Sequence, residues 1–452
     1  MRIKRTFAMA GMLALSLALL PGIAAAEDND DDEKVWVCKL VGKDGSYQKS
    51  PIHVSADTVD EDGIFRDSQG SPQGVVVEDG DIDCEAEFGD GDGGDNGDNG
   101  DDDNGDNGDN GGTGGGGGGG TTDDDEGVLA DEVLRLEGET RIQTAIAVSQ
   151  HTHDEADVVF LARSDLYPDA LTGGPLAAAL DAPILLTPSD SLHDDTAEEL
   201  DRLGAESVYL LGETGALNAD VESAVADLDE VSTVERIGGS DRFETAGLIA
   251  RELVDSTDDD SVSTAYITEG INSDPMRGWP DAVAVSGLAA FEARPILLTA
   301  TDEVPESTLT ALDDIGAEDT VVIGGTAAVG ADATSALEDH GVGVEQVGGD
   351  TRYHTSAMVA DLSVEAGMGR SPLWLATGQN WPDALVAGPA VAAESAVLVL
   401  VHGDDLDNSP VIRDWIDENA EALRDEDDAA GYQVRLVGGP AAISDVVAGQ
   451  LQ

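Results

Sequence analysis

The chain has 452 residues, with 22 basic against 94 acidic side chains and a formal net charge of −72. That balance excludes nucleic acid as a natural partner, because phosphate binding runs on cationic patches. It also points to a saline habitat: at about 1 M salt the Debye length falls to about 3 Å and self-repulsion is largely screened.

Residues 1–26 carry Arg2, Lys4 and Arg5, an apolar run from Phe7 to Leu20, then Pro21 and Ala24-Ala25-Ala26. This is the pattern of an export signal, and the run is too short to cross a membrane. The expected location is therefore outside the cytoplasm, at the cell wall or cell surface, with no membrane span. Residues 27–88 read as a small β-rich domain, with VWVCKLVG, PIHVSA and GVVVED as short strands bounded by Gly, Pro and Asp. Both cysteines, Cys38 and Cys84, fall in this segment. In an exported protein such a pair is expected to form a disulfide, and it supplies too few ligands for a metal site. Residues 89–127 are almost entirely Asp, Gly, Asn and Thr. With no apolar side chains to bury, they are expected to form a disordered tether, spanning roughly 35 Å root-mean-square if Gly-rich statistics hold. A calcium-binding roll needs a regularly spaced apolar residue, and this segment has none.

The rest of the chain says the same thing three times. VLRLEGETR from Val133, VERIGGSDR from Val234 and VEQVGGDTR from Val344 align without a gap. Each ends in an arginine, Arg141, Arg242 or Arg352, followed three residues later by Thr144, Thr245 or Thr355. Farther on, Pro168-Asp169, Pro280-Asp281 and Pro382-Asp383 stand at matching places ahead of PILLT, PILLT and VLVLV. A third block closes each repeat with a strand-like run and a Gly turn. Three repeats follow, at 131–231, 232–341 and 342–452, each long enough for its own core. No lysine occurs after Lys49, so every cation of the repeats is an arginine.

Within repeat one, VVFLA, PILLT and VYLLG are continuous apolar runs of strand length, which belong in a parallel sheet covered on both faces. Between them PDALTGGPLAAAL, DDTAEELDRLGA and NADVESAVADL carry helical spacing with Pro or Asp near the start. The expected fold is α/β: three tandem flavodoxin-like or Rossmann-like open-sheet modules. Each Pro-Asp pair sits where a strand gives way to a helix. Asp169, Asp281 and Asp383 either complement the positive helix end or meet a ligand at the carboxyl edge of the sheet. Arg141, Arg242 and Arg352 either tie a loop to the sheet or offer a planar donor fork to an anion. These residues, with Thr144, Thr245 and Thr355, form the candidate ligand-binding set.

The GG-x-x-R-[FY]-x-T opening, the aromatic-Pro-Asp-Ala block, PILLT and the closing LLGG or VIGG resemble the cell wall-binding repeat 2 family, from Val133 to the C-terminus. The resemblance implies a non-catalytic anchor. In it, three α/β modules pack as a pseudo-threefold trimer within one chain, and grooves between modules hold an anionic cell-wall or cell-surface polymer, displaying the N-terminal domain. No cofactor is implied. Repeat one departs from the pattern at Glu137-Gly138 and Gly212-Glu213, and repeat three carries Val401 in place of the PILLT threonine. An acidic protein holding an acidic polymer relies on screening plus arginine and amide contacts, or on divalent-cation bridging between carboxylates. The rival readings are a cell-wall hydrolase and a surface-lattice or adhesive protein. Against the hydrolase, no nucleophile, base and orienter set stands out, and neither H-E-x-x-H nor G-x-S-x-G at a strand-to-helix turn is present. His151-Thr152-His153-Asp154 is the nearest approach to a metal cluster and reads as a solvated loop.

Overall fold

The computed structural model describes residues 34–39, 52–55, 64–66 and 72–77, then 132–423 and 433–452 apart from 258–261, 273 and 275. The expected export signal, the tether and Cys84, and with it a Cys38–Cys84 bond, lie outside the described residues. The chain divides into two compact regions, 1–117 and 118–452. In the first, β1 (Lys34–Lys39), β2 (Ile52–Ser55), β3 (Ile64–Arg66) and β4 (Pro72–Val77) form an antiparallel sheet in the order β2-β1-β4-β3.

The second region is α/β, with three parallel four-stranded sheets that correspond to the three repeats. Repeat one supplies β5 (Glu132–Leu136), α1 (Arg141–Thr152), β6 (Val158–Arg163), α2 (Pro168–Ala179), β7 (Ile184–Thr187), α3 (Asp194–Leu203), β8 (Ser207–Leu211) and α4 (Ala219–Ala226). Repeat two supplies β9 (Thr233–Ile237), α5 (Arg242–Ser256), β10 (Thr264–Ile271), α6 (Pro280–Phe291), β11 (Ile296–Ala300), α7 (Glu306–Ile315), β12 (Asp319–Ile323) and α8 (Ala331–His340). Repeat three supplies β13 (Gly343–Val347), α9 (Arg352–Glu365), β14 (Gly369–Thr377), α10 (Ala387–Ala393), β15 (Ala396–Val401), α11 (Pro410–Leu423), β16 (Gln433–Val437) and α12 (Asp445–Gln450). In repeat three the Pro-Asp segment enters its helix through a 3-10 turn at Ala384–Val386.

The sheets run β7-β6-β8-β9, β11-β10-β12-β13 and β15-β14-β16-β5. The fourth strand of each therefore comes from the next repeat, and β5 of repeat one completes the sheet of repeat three. β6, β7 and β15 are buried along almost their whole length, as continuous apolar runs demand, whereas the edges β9 and β13 are half exposed. Such edges carry Glu235, Arg236, Glu345 and Gln346, polar side chains that discourage pairing with a further strand.

The exchanged strand is locked by the same device each time. Gly212, Gly324 and Gly438, which close β8, β12 and β16, donate their amides to Ile237, Val347 and Leu136 of the incoming strand at 2.8, 2.9 and 2.8 Å. Their carbonyls accept from the side chains of Arg236, Gln346 and Arg135 at 2.8, 3.0 and 3.1 Å. Gly238 and Gly348 follow so closely that a Cβ on either would stand 2.3 Å from Gly212 C or 2.1 Å from Gly324 C. That approach is why the opening blocks of repeats two and three carry paired glycines.

The three Ala-rich helices α2, α6 and α10 pack against one another, and each is also covered by the first helix of the following repeat: α5 on α2, α9 on α6, α1 on α10. Alanine and glycine permit this approach; a Cβ on Gly287 of α6 would stand 2.4 Å from Val391 Cγ1 of α10. One apolar cluster consequently runs through all three repeats, from Leu136 and Leu171 through Val283 and Leu288 to Leu385 and Val391. Smaller clusters fill the outer layers of repeats one and two.

Closure by β5 gives a direct stability test. Arg135 donates to the carbonyls of Gly438 and Ile443 at 3.1 and 2.6 Å and pairs with Asp445. Arg135→Ala is expected to lower unfolding free energy by about 1–3 kcal/mol in urea titration at constant salt, because half-buried acceptors lose a charged donor. The exposed pair Arg413–Asp407 supplies the control, with Arg413→Ala staying within about 0.5 kcal/mol.

Candidate ligand site at the junctions between repeats

Arg141, Arg242 and Arg352 each open a helix, behind the N-caps Thr140, Asp241 and Thr351. One guanidinium nitrogen of each donates to the main chain just past the central strand of its own repeat: to Ser164 O at 2.7 Å, Gly270 O at 2.8 Å and Gly378 O at 2.5 Å. The guanidinium plane meanwhile meets an aromatic residue of the preceding repeat. Arg141 Cζ lies 4.9 Å from the Trp381 ring centroid and Arg352 Cζ 5.3 Å from that of Trp279. Arg242 stands beside Tyr167, whose hydroxyl donates at 3.3 Å to the same Gly270 carbonyl. Each arginine is thus a clasp between repeats, and for Arg141 and Arg352 the cation–π attraction is worth about 0.5–2 kcal/mol.

Thr144, Thr245 and Thr355 are almost wholly buried, and their hydroxyls accept from the Gly138, Gly239 and Gly349 amides at 3.2, 3.0 and 3.2 Å. They fix the turn that presents the arginine. Asp169, Asp281 and Asp383 follow the Pro that opens the next helix and are half-buried. Asp281 faces Arg352 and Thr355, Asp383 faces Arg141 and Thr144, and Asp169 faces Arg242. The arginine, threonine and aspartate of one repeat do not meet one another. Each arginine, joined by the threonine in the case of Arg352 and Arg141, meets the aspartate of the repeat before, and repeat one meets repeat three.

Burial pushes all three aspartate carboxyls up from their ordinary value, against the opposing pull of the neighbouring arginines. Asp281 is pushed to about 7 by burial, and Glu269 adds its negative charge to the desolvation. Each carboxylate also lies against the closing glycine of its own repeat. A Cβ on Gly324, whose φ is +123°, would stand 2.5 Å from Asp281 Oδ2, so both conformation and space require glycine there.

These residues sit at the carboxyl edge, between the central strand and the third strand, where the chain order reverses. In open α/β sheets that crevice is the usual ligand position. At the junction of repeats two and three it is a cleft of about 490 Å³, lined by Glu269, Arg277, Asp281, Arg352, Tyr353 and Thr355 together with main chain of the 325–328 and 349–351 turns. Glu269 and Arg277 escaped the sequence reading. Both belong to repeat two alone at their positions, so comparing repeats hides them; a charged residue ending an otherwise apolar strand was the available signal.

The histidines correct one expectation. His151 lies in the last turn of α1, its Nε2 at 3.1 Å from Glu394 Oε1 of repeat three, and His153 is 8% exposed with burial pushing its pKa down. They are an interface residue and a buried helix cap rather than a solvated loop, because α1 packs its C-terminal end against α10. Among the described residues no three His, Cys, Asp or Glu side chains converge as a metal site, and no helix is long and apolar enough to cross a membrane.

The three segments 135–222, 236–334 and 346–448 match cell wall binding domain 2, and together they make up more than half of the chain. The chain belongs to the cell wall binding domain 2 family. Curated relatives include the N-acetylmuramoyl-L-alanine amidase LytC of Bacillus subtilis, 27% identical over 279 residues, covering 62% of this chain and 52% of the relative. The amidase enhancer of the same organism is 25% identical over 273 residues, covering 60% and 35%. The match thus spans about half or less of these relatives. Among solved structures, Cwp6 from Clostridium difficile aligns with a TM-score of 0.59 at 27% identity over 72% of this chain and 48% of that one. Cwp8 from the same organism aligns at 0.57 and 27%, over 71% and 52%. By family, then, each of the three repeats is a cell wall binding domain.

Asp281 generates a pH prediction. Its folded pKa of about 7 exceeds its ordinary 3.8, so between these values the folded state holds a proton that the unfolded state has lost. Stability contributed by this group therefore falls as pH rises from about 4 to about 7. Asp281→Asn is expected to flatten that descent: urea midpoints at pH 5 and pH 8, at constant salt, should differ less than in the unaltered chain.

Proposed function

We propose that the triplicated region is a non-catalytic anchor that holds an exported protein to an anionic envelope polymer and displays the N-terminal sheet at the end of a tether. The three repeats act as one pseudo-threefold body, and the polymer lies along the junctions between them. The observation that carries this reading is the assembly, at every junction, of an arginine from one repeat with an aspartate from the repeat before, joined at two of the three junctions by the threonine. Such a constellation exists only when neighbouring repeats are docked, which suits an extended ligand that touches more than one of them. Arg141 and Arg242 are fixed by one carbonyl each and Arg352 by two, Gly378 O and Met276 O, which leaves other N–H groups free to donate without side-chain reorganisation on binding. Concentrated salt screens the overall charge while these contact-range hydrogen bonds persist. Divalent cations bridging surface carboxylates to the polymer are a second source of attraction, one that chelation would remove.

Co-sedimentation of the whole chain with purified envelope fragments, from about 0.1 to about 3 M salt, tests the anchor. Arg352→Lys keeps the charge and loses the planar fork, and is expected to lower the bound fraction at least about fivefold with the fold retained by circular dichroism. A folded chain that stays in the supernatant at every salinity sinks the proposal. Release of soluble fragments from the envelope by the unaltered chain would favour the hydrolase instead.

A further inference from the structure

The three junctions share arginine, threonine and aspartate but differ in the residue just before the carbonyl that each arginine holds. It is Arg163 in repeat one, Glu269 in repeat two and Thr377 in repeat three. Arg163 is engaged by Asp165, through Nε at 2.7 Å and a terminal nitrogen at 2.8 Å. The Thr377 hydroxyl accepts from the Gln379 amide at 3.2 Å. Glu269 is different: it is 2% exposed yet lines the cleft, and its Oε1 accepts from Asn272 Nδ2 at 2.8 Å and Thr301 Oγ1 at 2.5 Å. Arg277, which comes from the loop before α6, reaches to 3.6 Å from the same oxygen.

Junction two–three therefore places the carboxylates of Glu269 and Asp281, with exposed Asp350 at the rim, in one cleft with two guanidiniums, Arg277 and Arg352, and with the Tyr353 ring. A ligand bearing only negative charge would stand against Glu269 with nothing to donate, in a site where screening by water is weak. A ligand bearing only hydroxyls would leave Arg277 and Arg352 with no counter-charge beyond Glu269 and Asp281 and would draw nothing from the guanidinium forks. The cleft volume of about 490 Å³ suits a single sugar ring with substituents. We propose that this cleft selects a zwitterionic saccharide unit, whose ammonium group meets Glu269 and Asp281 and whose phosphate or carboxylate meets Arg277 and Arg352. The assignment rests on reading the junctions as polymer sites and adds what one of them discriminates. Asp281, half neutral at pH 7, becomes a full acceptor once an ammonium stands beside it.

Calorimetric titration of the whole chain at pH 7.5 and fixed ionic strength, with glucosamine 6-phosphate, N-acetylglucosamine 6-phosphate and glucose 6-phosphate, tests it. Glucosamine 6-phosphate is expected to bind at least about tenfold tighter than its N-acetylated form, since acetylation removes the charge that a buried carboxylate needs. Glu269→Gln should shrink that ratio to about twofold or less, and the remote Arg413→Gln should leave it unchanged. Arg277, at the solvent edge, offers a second arm that leaves the fold intact: Arg277→Gln should weaken both phosphates by a similar factor. Equal affinity for the three sugars, no binding of any, or a preference that survives Glu269→Gln overturns the assignment. Envelope co-sedimentation run in parallel separates the two readings. If it persists without an ammonium preference, only the zwitterion is lost; if it fails as well, the anchor itself is lost.

Discussion

Exchange of one strand between neighbouring repeats is the constraint on which the rest of this structure depends. A three-stranded parallel sheet of β6, β7 and β8 would leave the apolar flank of β8 open, and β9 covers it only because the chain continues into the next repeat. The same is true of β13 on β12 and of β5 on β16. Once the strand is exchanged, the helix that follows it begins beside the previous repeat, and its opening arginine meets the aromatic ring and aspartate there. Sheet completion, helix packing and site assembly are consequences of one crossing, repeated three times.

The parts of this architecture that were legible in the sequence are those with a single physical cause. VVFLA and PILLT are apolar at successive positions, and only burial on both faces of a sheet accounts for that. Helices that open on Pro-Asp follow from the fixed φ of proline and the positive helix end. Repetition marked Arg141, Arg242 and Arg352 as special in a chain otherwise poor in cations. Which sheet each opening strand joins was not legible, because β5, β9 and β13 are short half-exposed edges whose pattern fits any neighbour. Nor was the meeting of arginine with the aspartate of another repeat, since aligning repeats compares equivalent places and says nothing about adjacency. Arg163, Glu269 and Thr377 escaped for the opposite reason: they are equivalent in space and unlike in chemistry.

The arginines show how a structural and a binding role coexist in one side chain. A guanidinium has five N–H donors in a rigid fork, and one is committed to a carbonyl of its own repeat. Its face is committed to the preceding repeat's aromatic ring at two of the junctions. Those contacts hold the group still, which lowers the entropy lost when an anion arrives. A lysine at the same place would keep the charge and lose the rigid planar fork that makes both contacts at once.

Because β5 from the first repeat pairs with β16 from the third, the place on β16 where a further copy would put its opening strand is already filled. In an open solenoid, gene duplication lengthens the stack one copy at a time and only the caps must adapt. Here an extra copy would have to break the β5–β16 pairing and separate α1 from α10. Copy number is thereby locked by geometry, and such a chain grows only by adding a whole closed set.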